Sequence, residues 1–237
     1  MNLLTLKFQH LFAHALQYGG WRAISQFPLI TKRLRLLFAA LAVICAGAPA
    51  SAASPLQMVV LGDSLSAGYL LPQDAAFPAV LERALRAQGV AVEISNAGVS
   101  GDTSRGGLER LDWAVPEGTQ FVLLELGAND MLRGIDPAQT KDALDKMITR
   151  LKGRGVRVLL AGMLASPALG KDYGDRFNAI YPELAKKHGI PLYPFFLEGV
   201  AGDRMLNLDD GMHPNRKGVE VMVQNILPLV KSFLSGS

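Results

Sequence analysis

Cysteine is nearly absent: the 237-residue chain has one, Cys45, beside only four histidines. Carboxylates are missing altogether from residues 1–52, which carry five cations, Lys7, Arg22, Lys32, Arg33 and Arg35. The apolar run Leu36–Ala48 is roughly 13 residues, short of the about 20 that a membrane-spanning helix needs. These shortages exclude several classes of function. Residues 53–237 have no disulfide and no thiolate chemistry, and His188 and His213 are too few for a multi-histidine metal site. The net charge of +3 belongs to the N-terminal segment, because nineteen cations meet twenty-one carboxylates after it. No basic surface remains to bind nucleic acid.

Lys32, Arg33 and Arg35 precede the apolar run, and small residues, Ala50-Ser51-Ala52, follow it. Charge, short apolar stretch and A-x-A site, in that order, form a secretory signal peptide with cleavage expected after Ala52. An uncleaved anchor is disfavoured by the length of the run, and a lipidated Cys45 by the bulky Val43 and Ile44 before it. The expected organisation is a leader over 1–52 and one domain over 53–237, long enough for a sizeable core. The expected destination is the periplasm or the exterior, with no stable membrane span once the leader is cleaved.

From Gln57 onward, short apolar runs alternate with amphipathic stretches. Gln57–Leu61, Val90–Ser95, Phe121–Leu126, Val156–Ala161 and Ile190–Tyr193 read as strands, the first compact and β-branched as in a strand buried on both faces. Helices are expected over Pro78–Ala87, Thr103–Trp113, Asp136–Lys152, Asp175–His188 and Asn215–Phe233. Pro137 sits where a missing N–H costs least, and Pro228 marks a possible disturbance of the last helix. Five strands alternating with helices imply an α/β fold, a three-layer α/β/α sandwich around a parallel sheet. Such sheets bind ligands at the carboxyl ends of their strands.

The unusual residues fall at those ends. Gly62-Asp63-Ser64-Leu65-Ser66-Ala67-Gly68 follows the first strand, where a serine opening a helical turn lies beside backbone N–H groups suited to an oxyanion. Position 66 is serine, so this is not the G-x-S-x-G elbow, nor has it the Gly-Lys-Ser/Thr ending of a phosphate loop. A serine nucleophile needs a base. His188, in a helix's last turn, is accounted for by the helix dipole. His213 lies in the turn Asp209-Asp210-Gly211-Met212-His213-Pro214, where Asp209 or Asp210 could hold its second nitrogen; spacing barely separates them. The loops Asn96–Thr103 and Gly127–Asp130 follow the next two strands. A Gly101 N–H and the Asn129 amide there could join the Ser64 N–H as oxyanion donors.

Gly62-Asp63-Ser64-Leu65-Ser66, Gly101-Asp102, Gly127-Ala128-Asn129-Asp130 and Asp210-Gly211-Met212-His213-Pro214 resemble, in order, the four blocks of the SGNH (GDSL) hydrolases. With Ala179-Ile180-Tyr181-Pro182, the chain is most similar to the exported arylesterase, thioesterase I and lysophospholipase branch. The resemblance implies a five-stranded, flavodoxin-like sheet, Ser64 as nucleophile, His213 as base and Asp210 rather than Asp209 as orienting acid. It also implies Ser64, Gly101 and Asn129 as oxyanion donors and no metal or other cofactor.

The expected partner is a small acyl ester: short- to medium-chain carboxylic esters, aryl esters included, with thioesters and lysophospholipids as secondary substrates. The apolar loop Met163–Lys171, with Leu164 and Pro167, is expected to wall an acyl groove. Relatives that cleave long acyl thioesters often carry an arginine in this segment. Met163–Gly170 has none, which argues against a strong preference for bulky anionic thioesters. A carbohydrate O-acetylesterase on the same scaffold is the alternative and calls for exposed aromatics, of which Tyr69 beside the nucleophile block and Tyr173 in a loop are the candidates. A non-catalytic periplasmic binding protein would not need the serine, histidine and carboxylate together.

Overall fold

The computed structural model describes residues 54–236, so the signal-peptide reading and the boundary after Ala52 lie outside the described residues. Five parallel strands, β1 (Leu56–Gly62), β2 (Val92–Gly98), β3 (Phe121–Glu125), β4 (Arg157–Ala161) and β5 (Leu192–Tyr193), form one sheet in the order β2-β1-β3-β4-β5. This is the doubly wound, flavodoxin-like order, and its switch point lies between β1 and β3. All five residues of β3 are buried, as are the last five of β1 and the last four of β4. Their near-continuous apolar runs are those of strands covered on both faces. β2, at an edge, buries only Val92.

Among the described residues the α-helices are α1 (Ser64–Ala67), α2 (Phe77–Ala87), α3 (Ser104–Glu109), α4 (Leu111–Ala114), α5 (Ala128–Leu132), α6 (Pro137–Gly153), α7 (Lys171–Asn178), α8 (Ile180–His188) and α9 (Arg216–Ser235). They pack in two groups: α2 against α9, and α6 against α3, α7 and α8. The sheet lies between them as the middle of three layers. Among the described residues, no helix is long and apolar enough to cross a membrane.

The four largest departures from the expected boundaries are these. β2 runs on to Gly98, so Asn96 and Ala97 belong to the strand rather than to the loop after it. The helix expected over Thr103–Trp113 breaks at Arg110, beyond the weak helix formers Gly106 and Gly107. The helix expected from Asp175 starts at Lys171, placing Tyr173 in α7 rather than in a loop, and breaks at Ala179. Pro182 explains that break: it has no N–H to give to the Asn178 carbonyl, and its ring crowds it. Pro228, by contrast, stays inside α9. Both Pro228 and Gln224, whose carbonyl it leaves unpaired, face solvent, where water can satisfy the carbonyl.

Gly62 and Gly98 lie side by side at the carboxyl ends of β1 and β2. A Cβ on Gly98 would stand 2.3 Å from the Ala67 nitrogen and 2.9 Å from the Asp63 carbonyl oxygen. α1 therefore rests directly on the strand end. Gly98→Ala is expected to cost about 1–3 kcal/mol of stability, read as a lower urea midpoint at unchanged m-value. An unchanged midpoint would mean that α1 is free to move off the strand.

Candidate active site

β1 leaves the sheet at Gly62, and Asp63 caps the short helix that follows, its Oδ1 accepting from the Leu65 N–H at 3.0 Å. Ser64, the first residue of α1, is 9% exposed. Its Oγ lies 2.9 Å from Nε2 of His213, and Nδ1 of His213 lies 2.7 Å from Oδ2 of Asp210. The structure thus brings Ser64, His213 and Asp210 into one hydrogen-bonded line, and of the two candidate acids it is Asp210 that meets the imidazole. The other oxygen of Asp210 accepts from the N–H groups of Met212 at 2.9 Å and His213 at 3.0 Å. The turn is closed by the Leu208 N–H bond to the His213 carbonyl and by the bridge between Asn207 and Pro214.

These bonds set the charge of Asp210. The backbone N–H groups of His213 and Met212, then the imidazole, hold its carboxyl down at about 2. Tyr69 covers the imidazole, with ring centroids 4.4 Å apart and planes at 36°.

The loops after β2 and β3 supply the remaining polar groups. Gly127 has φ of 122°, and a side chain there would collide with the Tyr181 hydroxyl, which donates to the Leu126 carbonyl at 3.0 Å. From this turn Asn129 donates its amide to Oδ2 of Asp63 at 3.1 Å. The neighbouring Asp130 is buried and accepts from the Ser104 N–H, the Ser104 hydroxyl and the Thr140 hydroxyl, tying α5 to α3 and α6. The Gly101 carbonyl accepts from Arg133 at 2.7 Å. Arg110 joins two loops: Nε bonds Asp102 at 2.6 Å, and Nη2 donates to the Gly62 carbonyl at 2.9 Å.

Ser64, Gly101, Asn129 and His213 all line one cavity of about 400 Å³. The rest of its wall is mostly apolar: Leu65, Tyr69, Ala128, Met131, Leu132, Met163, Leu197, Ala201 and Met212. From the Met163–Lys171 loop only Met163 lines it, so the expectation for Leu164 and Pro167 is corrected. Leu164 is 46% exposed whereas Met163 is 4% exposed. Tyr173 is half-buried and donates to the Ile135 carbonyl at 2.9 Å. His188 stays at the end of α8, 2.6 Å from Asp145, away from this line.

Sequence reasoning missed the polar groups beneath the serine. Glu125, at the end of β3, is 1% exposed and accepts from the Ser66 hydroxyl at 2.7 Å and the Asp63 N–H at 3.3 Å. Burial pushes the Asp63 carboxyl up to about 6, against the lowering pull of Leu65 and Asn129. Burial, then the Asp63 charge, pushes Glu125 well above the usual carboxylate range. The available signal was one acid inside an otherwise apolar strand, Phe121–Leu126. Among the described residues, no group of three or more His, Cys, Asp or Glu side chains could hold a metal ion.

Comparison with known proteins shows the family. The model of the GDSL-like Lipase/Acylhydrolase family matches residues 60–221. The chain is 43% identical over 159 residues to an arylesterase of Vibrio mimicus, covering 67% of this chain and 80% of that one. It is 39% identical over 184 residues to thioesterase 1/protease 1/lysophospholipase L1 of Escherichia coli, covering 76% of this chain and 87% of the relative. It also matches the crystal structure of AlinE4, an SGNH-hydrolase family esterase, at a TM-score of 0.66 and 42% identity. That match covers 76% of this chain and 97% of the other.

The low value for Asp210 has a consequence for stability. Its carboxyl titrates at about 2 when folded and at 3.8 ordinarily, so the folded state binds its proton less readily. The contribution is complete above 3.8 and lost as pH falls through the folded value. Between pH 5 and 2 the wild type is therefore expected to lose more stability than Asp210→Asn, measured by urea unfolding at each pH. Parallel curves would mean that the carboxylate is no better held in the folded chain than in the unfolded one.

Proposed function

This chain belongs to the GDSL-like lipase/acylhydrolase family and hydrolyses ester bonds, and we propose that it does so through an acyl-enzyme on Ser64. The observation that carries this reading is the hydrogen-bonded line from Ser64 through His213 to Asp210, of which Ser64 and His213 line a mostly apolar cavity. His213 Nε2 takes the Ser64 proton as Oγ attacks the acyl carbonyl, and the carbonyl π pair moves onto oxygen. The Ser64 and Gly101 N–H groups and the Asn129 amide receive that oxyanion. As it collapses, His213 passes the proton to the leaving alcohol or thiol. Water then attacks the acyl-enzyme with the same base, releasing the acid and restoring Ser64. Asp210 keeps the imidazole in the tautomer with its proton on Nδ1 and stabilises the imidazolium.

The substrates we assign are short- to medium-chain carboxylic esters, aryl esters among them, with thioesters and lysophospholipids secondary. Leucine and methionine side chains suit an acyl chain, and the cavity of about 400 Å³ lies near the small end of ligand sites. A carbohydrate O-acetylesterase remains the second reading, because Tyr69 is a 39% exposed aromatic on the cavity wall. The ester-hydrolysing relatives set aside a non-catalytic binding protein. Export to the periplasm or beyond rests on the order of charge, apolar run and small residues in the leader.

Hydrolysis of nitrophenyl esters from acetate to decanoate, with Ser64→Ala alongside, tests the reading. Activity is expected to peak at intermediate chain length and to vanish in Ser64→Ala. Asn129→Ala is expected to lose about 10²–10³ in turnover while staying folded. Activity confined to acetate would favour the acetylesterase, and an active Ser64→Ala would remove the serine mechanism.

A further inference from the structure

β3 runs through four apolar residues and ends on an acid that the chemistry above does not use. The Glu125 side chain reaches beneath the nucleophile turn. Its Oε2 accepts from two donors of that turn, the Ser66 hydroxyl and the Asp63 N–H. Its Oε1 is buried without a hydrogen-bond partner among the described residues. The carboxyl has room because residue 62 is glycine: a Cβ there would stand 2.5 Å from Oε2. The charged group of the turn that acts on Glu125 is the Asp63 carboxylate, and among the described residues no cation acts on it. Tyr181, from α8, is the further titratable side chain that faces it.

We propose that Glu125 is a positioning residue, whose buried carboxyl holds the turn that carries Ser64 and, through Asp63, orients the Asn129 amide. The inference rests on Ser64 being the nucleophile. Glu125 acts as the uncharged acid. Two donors converge on one oxygen, as on a carbonyl, while the other oxygen carries the proton. Burial and the neighbouring Asp63 both disfavour a second negative charge. Ser66, the residue that breaks the G-x-S-x-G pattern, thereby gains a physical role: its hydroxyl is the side-chain donor to this acid.

The amide of Glu125→Gln preserves the carbonyl acceptor, whereas Glu125→Leu keeps a comparable volume and accepts nothing. In the purified full chain, Glu125→Leu is expected to lower kcat on nitrophenyl butyrate about 10–100-fold at nearly constant KM, as misplacement of a nucleophile does. Labelling of Ser64 by an alkyl fluorophosphonate, followed by mass spectrometry, should slow in parallel. Glu125→Gln is expected to restore both to within about threefold, with the wild-type pH–rate profile. Should Glu125→Leu fail to fold, Ser66→Ala removes one donor at little change in volume and is expected to lower kcat about 3–10-fold. Two results would overturn the proposal: Glu125→Gln as slow as Glu125→Leu, or wild-type kcat and labelling in Ser66→Ala and Glu125→Leu. Ser64→Ala separates the two levels. If it stays active, the nucleophile reading fails; if it is dead while the Glu125 and Ser66 variants run at full rate, only this inference fails.

Discussion

The carboxyl end of β1 has to be bare of side chains, because the space beside Gly62 is already taken by the Ser66 hydroxyl and the Glu125 carboxyl. The space beside Gly98 on the neighbouring strand is taken by the backbone of Ala67. With both positions empty, the chain can fold back over the strand end at once. α1 is one turn long, too short to hold itself together, since the first helical turn fixes several dihedrals for one hydrogen bond. Its conformation is imposed by the Asp63 cap, by Glu125 and by contact with β2. Ser64 is therefore placed by tertiary structure, and its neighbours form one assembly with the sheet.

Three carboxyls within this small region meet three environments, and the differences follow from donors against burial. Asp210 lies near the surface with two backbone N–H groups and an imidazole as partners, so it stays ionised. Asp63 is buried with fewer compensating donors and sits near 6. Glu125 is buried more completely, beside another acid, and its carboxyl is pushed further up. Charge is thus kept where an imidazolium develops and suppressed at Glu125. A further full negative charge, on Glu125, would oppose the oxyanion that the cavity has to accept. A neutral acid fills the same space and accepts the same bonds without that cost.

The strands were legible because burial on both faces leaves a plain record: β1, β3 and β4 are near-continuous apolar runs. The long helix was legible from Asp136 and Pro137, which serve as cap and first residue, and the last helix from its apolar period despite Pro228. The breaks at Arg110 and Ala179 were not read, because each depends on where one residue meets its surroundings. The chemistry-bearing residues stood out as polar blocks, three after strands and one before the last helix, and the line Ser64–His213–Asp210 assembles from two of those blocks. Glu125 did not, since a carboxylate at a strand end is ordinarily read as turned to solvent. Leu164 and Pro167 failed for a related reason. Composition says that a loop is apolar but not which of its side chains faces the cavity, and here Met163 does.

One imidazole has to take a proton from Ser64 and give it to a leaving group a short distance away, so it has to stay in place through both transfers. Asp210 fixes its Nδ1 side, and the backbone bonds within Leu208–His213 fix the loop that carries it. Tyr69 covers the ring, leaving Nε2 directed at Ser64. The ring therefore needs no reorientation between attack and departure, which is the condition under which a single base serves both halves of acyl transfer. Tyr69 also lines the cavity, so the side chain that covers the base forms part of the wall a substrate meets. Base geometry and substrate fit are coupled at that residue, and a change in its bulk would move both together.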